Sequence, residues 1–309
     1  MHIEPKVESR DISYVAVLTN PKAGKGRAAE ASIAARKRFI DLGINVVSLE
    51  GSSPEASAAL AREALKNPGV DALVVCGGDG LINLALQAQA NSRTPLGIIP
   101  AGTGNDHARE YHIPLDPERA ADVIAEGFCT TTDLIKMTTD DGYERYFGTI
   151  ATQGFDSLVT RRTNTIRWPK GPARYLLSIG IELLNLRPIP CTITLDDSKT
   201  LTDPVVLCAV GNTKSYGGGM KICPRAQHND GVIDLTVVPY MPRRSLLTKM
   251  KMLYSGSLTE KSGIAQYRAK KIRIDIKHMP VYADGDLFRH LPITYEIAPD
   301  QGLYLVPHP

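Results

Sequence analysis

The stretch Asp71-Ala72-Leu73-Val74-Val75-Cys76-Gly77-Gly78-Asp79-Gly80-Leu81-Ile82-Asn83 runs from an unbroken apolar segment, through glycines and an acid, into a helical pattern. A continuous rather than alternating apolar run marks a strand covered on both faces, as in a parallel sheet. The same change of period recurs on either side. Upstream, strands are predicted over 14–18 and 44–49 and helices over 28–42 and 54–65. Downstream come a helix over 81–90, a strand over 95–99 and helical pieces over 106–111 and 117–126. Such a βα series makes an open parallel sheet with helices on both faces, and its ligand crevice lies outside the carboxyl ends of the strands. Residues 1–130 are therefore predicted to form an α/β nucleotide-binding domain.

Near Thr130 the alanine-rich helices give way to hydroxyl and β-branched residues and to Asp140-Asp141-Gly142. Strands are predicted over 133–137, 145–151, 191–195, 205–210, 232–238, 271–276 and 293–297, with helices over 173–186 and 243–253. A mainly β second domain over 131–292 follows. A chain of 309 residues is long enough for two cores.

Hydrophobic residues at 43% and charged residues at 22% exclude a disordered chain. A net charge of +3 from 36 basic and 33 acidic residues gives no reason to expect a nucleic-acid partner. The five cysteines show no CxxC spacing, so neither a disulfide framework nor a cysteine zinc site is signalled, and a reducing, cytoplasmic location fits. The apolar run over 175–184 is too short to span a bilayer and contains Glu182.

Three loops at predicted strand ends carry the chemistry. Asn20-Pro21-Lys22-Ala23-Gly24-Lys25 follows the first strand; its glycine opens backbone N–H groups to an anion, and Lys25 can meet a terminal phosphate. Gly77-Gly78-Asp79-Gly80 brings nucleotide close to backbone, while Asp79 can orient a hydroxyl or hold magnesium through water. Gly102-Thr103-Gly104-Asn105 adds a further nucleotide contact through Thr103 and Asn105. A solvated basic turn, a tight turn with Asp79 as cap, and a cap at Asn105 or Asp106 are the purely structural alternatives. Neither Walker A nor GxGxxG spacing is present.

With Asn83 added to the second loop and Asp106 to the third, these segments resemble the three nucleotide-domain signatures of the diacylglycerol kinase catalytic superfamily, which includes bacterial lipid kinases and sphingosine kinases. Gly154-Phe155-Asp156, Lys170-Gly171 with Ala173 and Tyr175, Gly217-Gly218-Gly219-Met220, Pro224-Arg225-Ala226, Asp230-Gly231 and Asp284-Gly285 extend the likeness through the second half. The resemblance implies a phosphofructokinase-like α/β nucleotide domain and a β-sandwich-like second domain, with residues 293–309 returning to the first and the active cleft between them. It implies ATP and magnesium as cofactors, and Asn20, Pro21, Gly24, Lys25, Gly77, Gly78, Asp79, Gly80, Asn83, Gly102, Thr103 and Asn105 as nucleotide-binding residues.

The resemblance also makes Asp284-Gly285-Asp286 the source of the base near the acceptor hydroxyl, where the family usually reads Asp-Gly-Glu. Either Asp284 or Asp286 can serve, and a turn aspartate such as Asp284 is expected to have few core contacts to lose on substitution. Asp230, with backbone oxygens near Gln227 and Val232, is implied as a second magnesium site that organises the β domain. Leu81 and Leu84 replace a threonine and a glutamate common in the family and remove polar contacts.

The implied reaction is phosphorylation of a lipid alcohol, with diacylglycerol as leading acceptor. A soluble NAD kinase-like enzyme and a noncatalytic nucleotide- or lipid-binding module are the alternatives. Arg161, Arg162, Arg167 and Lys170 beside Trp168, and Arg243, Arg244, Lys249 and Lys251 on the helix over 243–253, offer peripheral contact with the anionic inner face of a membrane. An open sheet edge leaves room for a homodimer.

Overall fold

In a computed structural model, residues 7–21, 26–90, 92–166, 168–169, 172–257, 262–276, 279–290 and 292–308 are described. The first half alternates strand and helix: β1 (Val7–Ser9), β2 (Tyr14–Thr19), α1 (Arg27–Asp41), β3 (Asn45–Glu50), α2 (Pro54–Ala64), β4 (Ala72–Gly77), α3 (Asp79–Gln89), β5 (Leu96–Pro100), α4 (Asp106–Glu110) and α5 (Pro117–Glu126). Local chemistry sets these boundaries. Ser53 and Asp116 each accept a backbone N–H of the helix they precede, and both helices have proline in the first turn. Strands β2 to β5 pair in parallel in the order β5-β4-β2-β3, so the three glycine loops leave neighbouring strands at one edge of the sheet.

The second half contains β6 (Phe128–Thr139), β7 (Glu144–Phe147), β8 (Ile150–Gly154), α6 (Phe155–Thr165), α7 (Pro172–Leu184), β9 (Thr192–Leu195), β10 (Lys199–Leu201), β11 (Val205–Gly211) and β12 (Ile233–Pro239). It ends with α8 (Arg243–Ser255), β13 (Ala265–Ala269), β14 (Lys271–Asp275), β15 (Pro280–Ala283), β16 (Asp286–His290) and β17 (Ile293–Leu305). Among the described residues these strands build two sheets. Six form the antiparallel order β13-β12-β11-β8-β15-β16. The others extend the parallel sheet, because β17 pairs antiparallel with β14 and β6 and, through Tyr304 opposite Leu96, parallel with β5.

Ile135, Phe147, Ile272 and Tyr295 on the large sheet and Ala151, Val210, Leu235 and Val281 on the small one share one buried cluster, so the two sheets form a sandwich. The small sheet's other face is covered by α6, α7 and α8, whose Phe155, Leu183 and Leu246 pack with Val206, Leu207 and Val238. The fold is α/β in its first half and β-rich in its second.

Two differences from the sequence reading bear on function. The single strand expected over 145–151 is broken at Gly148-Thr149, so that β7 lies in one sheet and β8 in the other. Helix α6, not expected from its threonine-rich sequence, begins where Gly154 takes a left-handed φ of 104° and turns the chain out of β8.

Candidate active site

Between the parallel sheet edge and the small sheet lies a cleft of about 470 Å³, lined by Asp79, Gly80, Thr103, Gly104, Asp106, Thr149, Asp156, Tyr216, Gly217, Asp284 and Asp286 among others. Asp284 sits at its base. The residue is 3% exposed and adopts φ 49°, a left-handed conformation that aspartate tolerates better than most residues. Its Oδ1 accepts from the backbone N–H of Thr149 at 2.9 Å and the Thr149 hydroxyl at 2.5 Å. Its Oδ2 accepts from Asn83 Nδ2 at 2.7 Å and Gly148 N–H at 3.0 Å. The strand break at 148–149 thus turns backbone donors away from both sheets and onto one carboxylate. All four of its good lone-pair directions are used. The expectation that Asp284 has few contacts to lose is corrected: it is among the most heavily bonded groups of the site.

Beside Asp284 lies His107, fully buried. Its Nδ1 is 3.2 Å from Asp79 Oδ1, its backbone N–H donates to the same oxygen at 3.1 Å, and its Nε2 is 3.8 Å from Asp284 Oδ2. Burial opposes a charge on the ring, but the carboxylates of Asp284, Asp79 and Asp106 together hold the His107 pKa above its ordinary value. Burial likewise opposes ionisation of Asp79, and the His107 hydrogen bond and charge outweigh it and keep Asp79 low. Asp106 reaches across the cleft instead, accepting from the N–H groups of Gly217 at 2.7 Å and Gly218 at 3.1 Å and from Arg109. Burial and the nearby Asp79 charge push its pKa up.

Asp286 is the contrasting carboxylate. Its side chain is 45% exposed and lies 3.7 Å from Arg145 Nη2. Burial of its inner part, with the charges of Asp284 and Asp79, raises its pKa against the pull of Arg145. The carboxylate packs on the bare backbone of Gly80, where a Cβ would fall 2.8 Å from Oδ1. A Cβ on Gly102 would fall 2.6 Å from the Gly78 Cα, so the second and third glycine loops touch backbone to backbone.

Of the residues predicted to bind nucleotide, Asp79, Gly80 and Thr103 line the cleft. Gly102 and Asn105 face a second cavity, also about 470 Å³, beside Arg27 and Pro117, and Asn105 Oδ1 accepts the Gly102 N–H at 2.9 Å. Gly77 ends β4 and Gly78 caps α3, both at this sheet edge, as do Asn20 and Pro21 just beyond β2. Gly24, Lys25, Arg167, Lys170 and Gly171 lie outside the described residues. Asn83 is corrected outright: it is fully buried, donates to Asp284 and the Tyr146 carbonyl, and accepts from Arg145 Nε at 2.7 Å. No polar atom is left for a nucleotide to reach.

The predicted second magnesium set is also held differently. The Arg268 guanidinium bonds Asp230 and reaches Asp234 at 3.4 Å, while Val232 turns its N–H, not an oxygen, toward Asp230. An arginine thus supplies the positive charge at Asp230. Among the described residues no group of three or more His, Cys, Asp or Glu side chains is arranged to hold a metal ion. Sequence reasoning missed His107, Arg145 and Thr149. Only His107 carried a signal, as a titratable residue just beyond a glycine loop, and its two carboxylate partners lie far away in sequence.

Residues 14–137 match the diacylglycerol kinase catalytic domain, and residues 149–305 match the YegS C-terminal NAD kinase beta sandwich-like domain. A diacylglycerol kinase of Mycobacterium tuberculosis is 40% identical over 295 residues, 95% of each chain. The chain belongs to the diacylglycerol kinase family. A Serratia proteamaculans protein named "Probable lipid kinase YegS-like" is 32% identical over 238 residues, 75% of each chain. The diacylglycerol kinase family fold is also that of a crystal structure from Bacillus anthracis, which superposes with a TM-score of 0.77 over 97% of this chain and 99% of that one at 23% identity. As a member of this family the chain is a kinase, and its carboxylate cleft spans the two matched regions.

Proposed function

We propose that this kinase transfers the γ-phosphoryl group of ATP, with magnesium, to the hydroxyl of a lipid, with diacylglycerol as acceptor. The observation that carries the reading is the continuity of two unlike spaces. Asp156, Tyr175 and Tyr216 line both the carboxylate cleft and an apolar recess walled by Val159, Ile179, Leu207, Met220, Val238 and Leu246. An acceptor with a polar hydroxyl on an apolar body suits that junction, whereas a dinucleotide would leave polar groups against the recess. At about 40 Å³ the recess requires side chains of α6 to α8 to move before an acyl chain enters.

The cleft fits a nucleotide that arrives with cations. Asp79, Asp106, Asp284 and Asp286 face it together, and carboxylates this close repel a triphosphate unless its charge is neutralised. Magnesium bound with the nucleotide would supply that neutralisation; Asp79 would hold it through water, and the Thr103 hydroxyl would donate to a phosphate. Asp286 accepts the acceptor hydroxyl's proton as its oxygen bonds phosphorus and the bond to the β-phosphate oxygen breaks, leaving ADP. Asp284 positions this turn through its four donors, and its oxygens are too fully engaged to be the base.

Radiolabelled ATP with magnesium, offered to separated lipid classes, to NAD and to no acceptor, tests the proposal. Labelled phosphatidic acid is the expected product. Label in NAD alone would establish the soluble-kinase reading, and nucleotide and lipid binding without transfer would establish a noncatalytic module.

A further inference from the structure

Gly148, at the strand break, is bare for a reason other than its backbone. Its φ lies outside the left-handed region, so the chain conformation does not call for glycine there. What a Cβ would meet is polar: His107 Nε2 at 2.8 Å and the Tyr304 hydroxyl at 3.0 Å. Both side chains are fully buried, and among the described residues neither atom has a hydrogen-bond partner, so the two do not bond each other directly. Native interiors pair such atoms with protein groups or with an internal water. Asn212, whose Nδ2 donates to the Gly148 carbonyl at 3.0 Å, likewise has a buried Oδ1 without a partner among the described residues.

The two unpaired atoms belong to side chains held very differently. Tyr304 is fixed on several sides: in β17 it pairs with Leu96 of β5 and Thr130 of β6, and its ring stacks on Tyr111 of α4 with 4.4 Å between centroids. Burial holds its phenol far above the ordinary pKa, so the hydroxyl keeps its proton and can both donate and accept. The His107 ring is bonded at one end only. Its Nδ1 meets Asp79 Oδ1, whereas Nε2 stands 3.8 Å from Asp284 Oδ2, beyond hydrogen-bond reach, and each Asp284 oxygen already accepts from two donors.

We propose that Tyr304 is a positioning residue of the phosphoryl transfer, its hydroxyl holding the His107 imidazole through one internal water seated over the Cα of Gly148. The inference rests on the role given above to Asp79. A water both donates and accepts, so it serves Nε2 whether or not that nitrogen carries a proton. With the ring tied at both ends, the Asp79 carboxylate keeps its direction into the cleft; a ring free to pivot about its Asp79 bond lets that direction drift, and drift of this kind lowers the rate. Tyr304 does not itself line the cleft, so it acts through His107. The strand that returns from the second half of the chain thereby orients an acid on the early glycine turn.

Initial rates on whichever acceptor takes label, thermal melts and a high-resolution crystal structure test the assignment. Tyr304→Phe removes the hydroxyl and keeps the ring against Tyr111. It is expected to lower kcat about tenfold, with the KM for ATP within about twofold of wild type and the melting temperature unchanged. In a His107→Gln background the same change is expected to cost no further rate, because its route to the reaction is already cut. The wild-type crystal is expected to show a water within hydrogen-bond reach of both His107 Nε2 and the Tyr304 hydroxyl. Unchanged kcat in Tyr304→Phe would overturn the inference, whatever happens to its melting temperature. So would a loss that adds in full to that of His107→Gln, or a crystal interior without that water. Should NAD alone take the label, the expected pattern of variants on NAD would remove the lipid acceptor and leave the positioning role of Tyr304 standing.

Discussion

Asn83 Nδ2 donates to Asp284 Oδ2 at 2.7 Å across 201 residues of sequence. This bond fastens the helix behind the Gly77-Gly78-Asp79-Gly80 turn to the Asp284-Gly285-Asp286 turn, so the position of one fixes the position of the other. Both partners are buried, and each has further bonds: Asn83 to Tyr146 and Arg145, Asp284 to Gly148 and Thr149. At the reaction centre the first and second halves of the chain meet through a buried polar network.

The two late aspartates should therefore separate stability from turnover. Asp284→Ala leaves buried donors of Asn83, Gly148 and Thr149 unpaired, at about 1–3 kcal/mol for each that finds no water, so both melting temperature and turnover should drop. Asp286→Asn, on a half-exposed side chain, should lower kcat by about 10² to 10⁴ with the melting temperature unchanged. A thermal melt beside an initial-rate assay checks both. Near-normal turnover of Asp286→Asn would remove it as the base.

Arg145 should set the acid limb of the pH–rate profile. The base must be ionised to accept a proton, so the rate rises with pH through its pKa. Burial raises the Asp286 pKa and the Arg145 charge opposes that rise. Arg145→Gln should move the limb to higher pH, read from kcat between pH 4 and 8 on one acceptor.

His107 should make stability fall on the alkaline side. Its folded pKa lies above the ordinary histidine value because three carboxylates outweigh its burial. The stabilisation is full below the unfolded pKa of about 6.5 and is lost as pH rises through the raised value. His107→Phe should melt at lower temperature at pH 6, with a cost on the order of 3–5 kcal/mol for breaking a buried charged cluster. Its deficit against wild type should shrink as pH rises.

His228 should do the reverse. Burial pushes its pKa down to about 4. Between there and about 6.5 the unfolded chain binds the extra proton, so stability falls as the medium is acidified, by up to about 3 kcal/mol. His228→Gln should flatten melting temperature against pH in that window.

The βα alternation and the glycine loops were legible because each is local: apolar run, turn and helix follow within a dozen residues, and neighbouring parallel strands bring their ends to one edge. The strand break at Gly148-Thr149 was not, because Arg145 to Ala151 reads as one β-prone run and only the Asp284 carboxylate gives the backbone donors a reason to leave the ladder. Helix α6 was hidden for a related cause: its threonines favour strand, and its burial against the small sheet overrides that preference.

The sequence by itself determined the α/β first half, the β-rich second half and the three loops with the late aspartates, since spacing and residue type decide strand, helix and turn within short segments. Only the tertiary structure decided that Asp284 is an anchor and Asp286 the open carboxylate, that His107 joins Asp79 to Asp284, and that Asn83 is unavailable to ligand. Those roles depend on burial and on hydrogen-bond partners brought from distant segments, and a carboxylate's chemistry is set by the donors and charges around it.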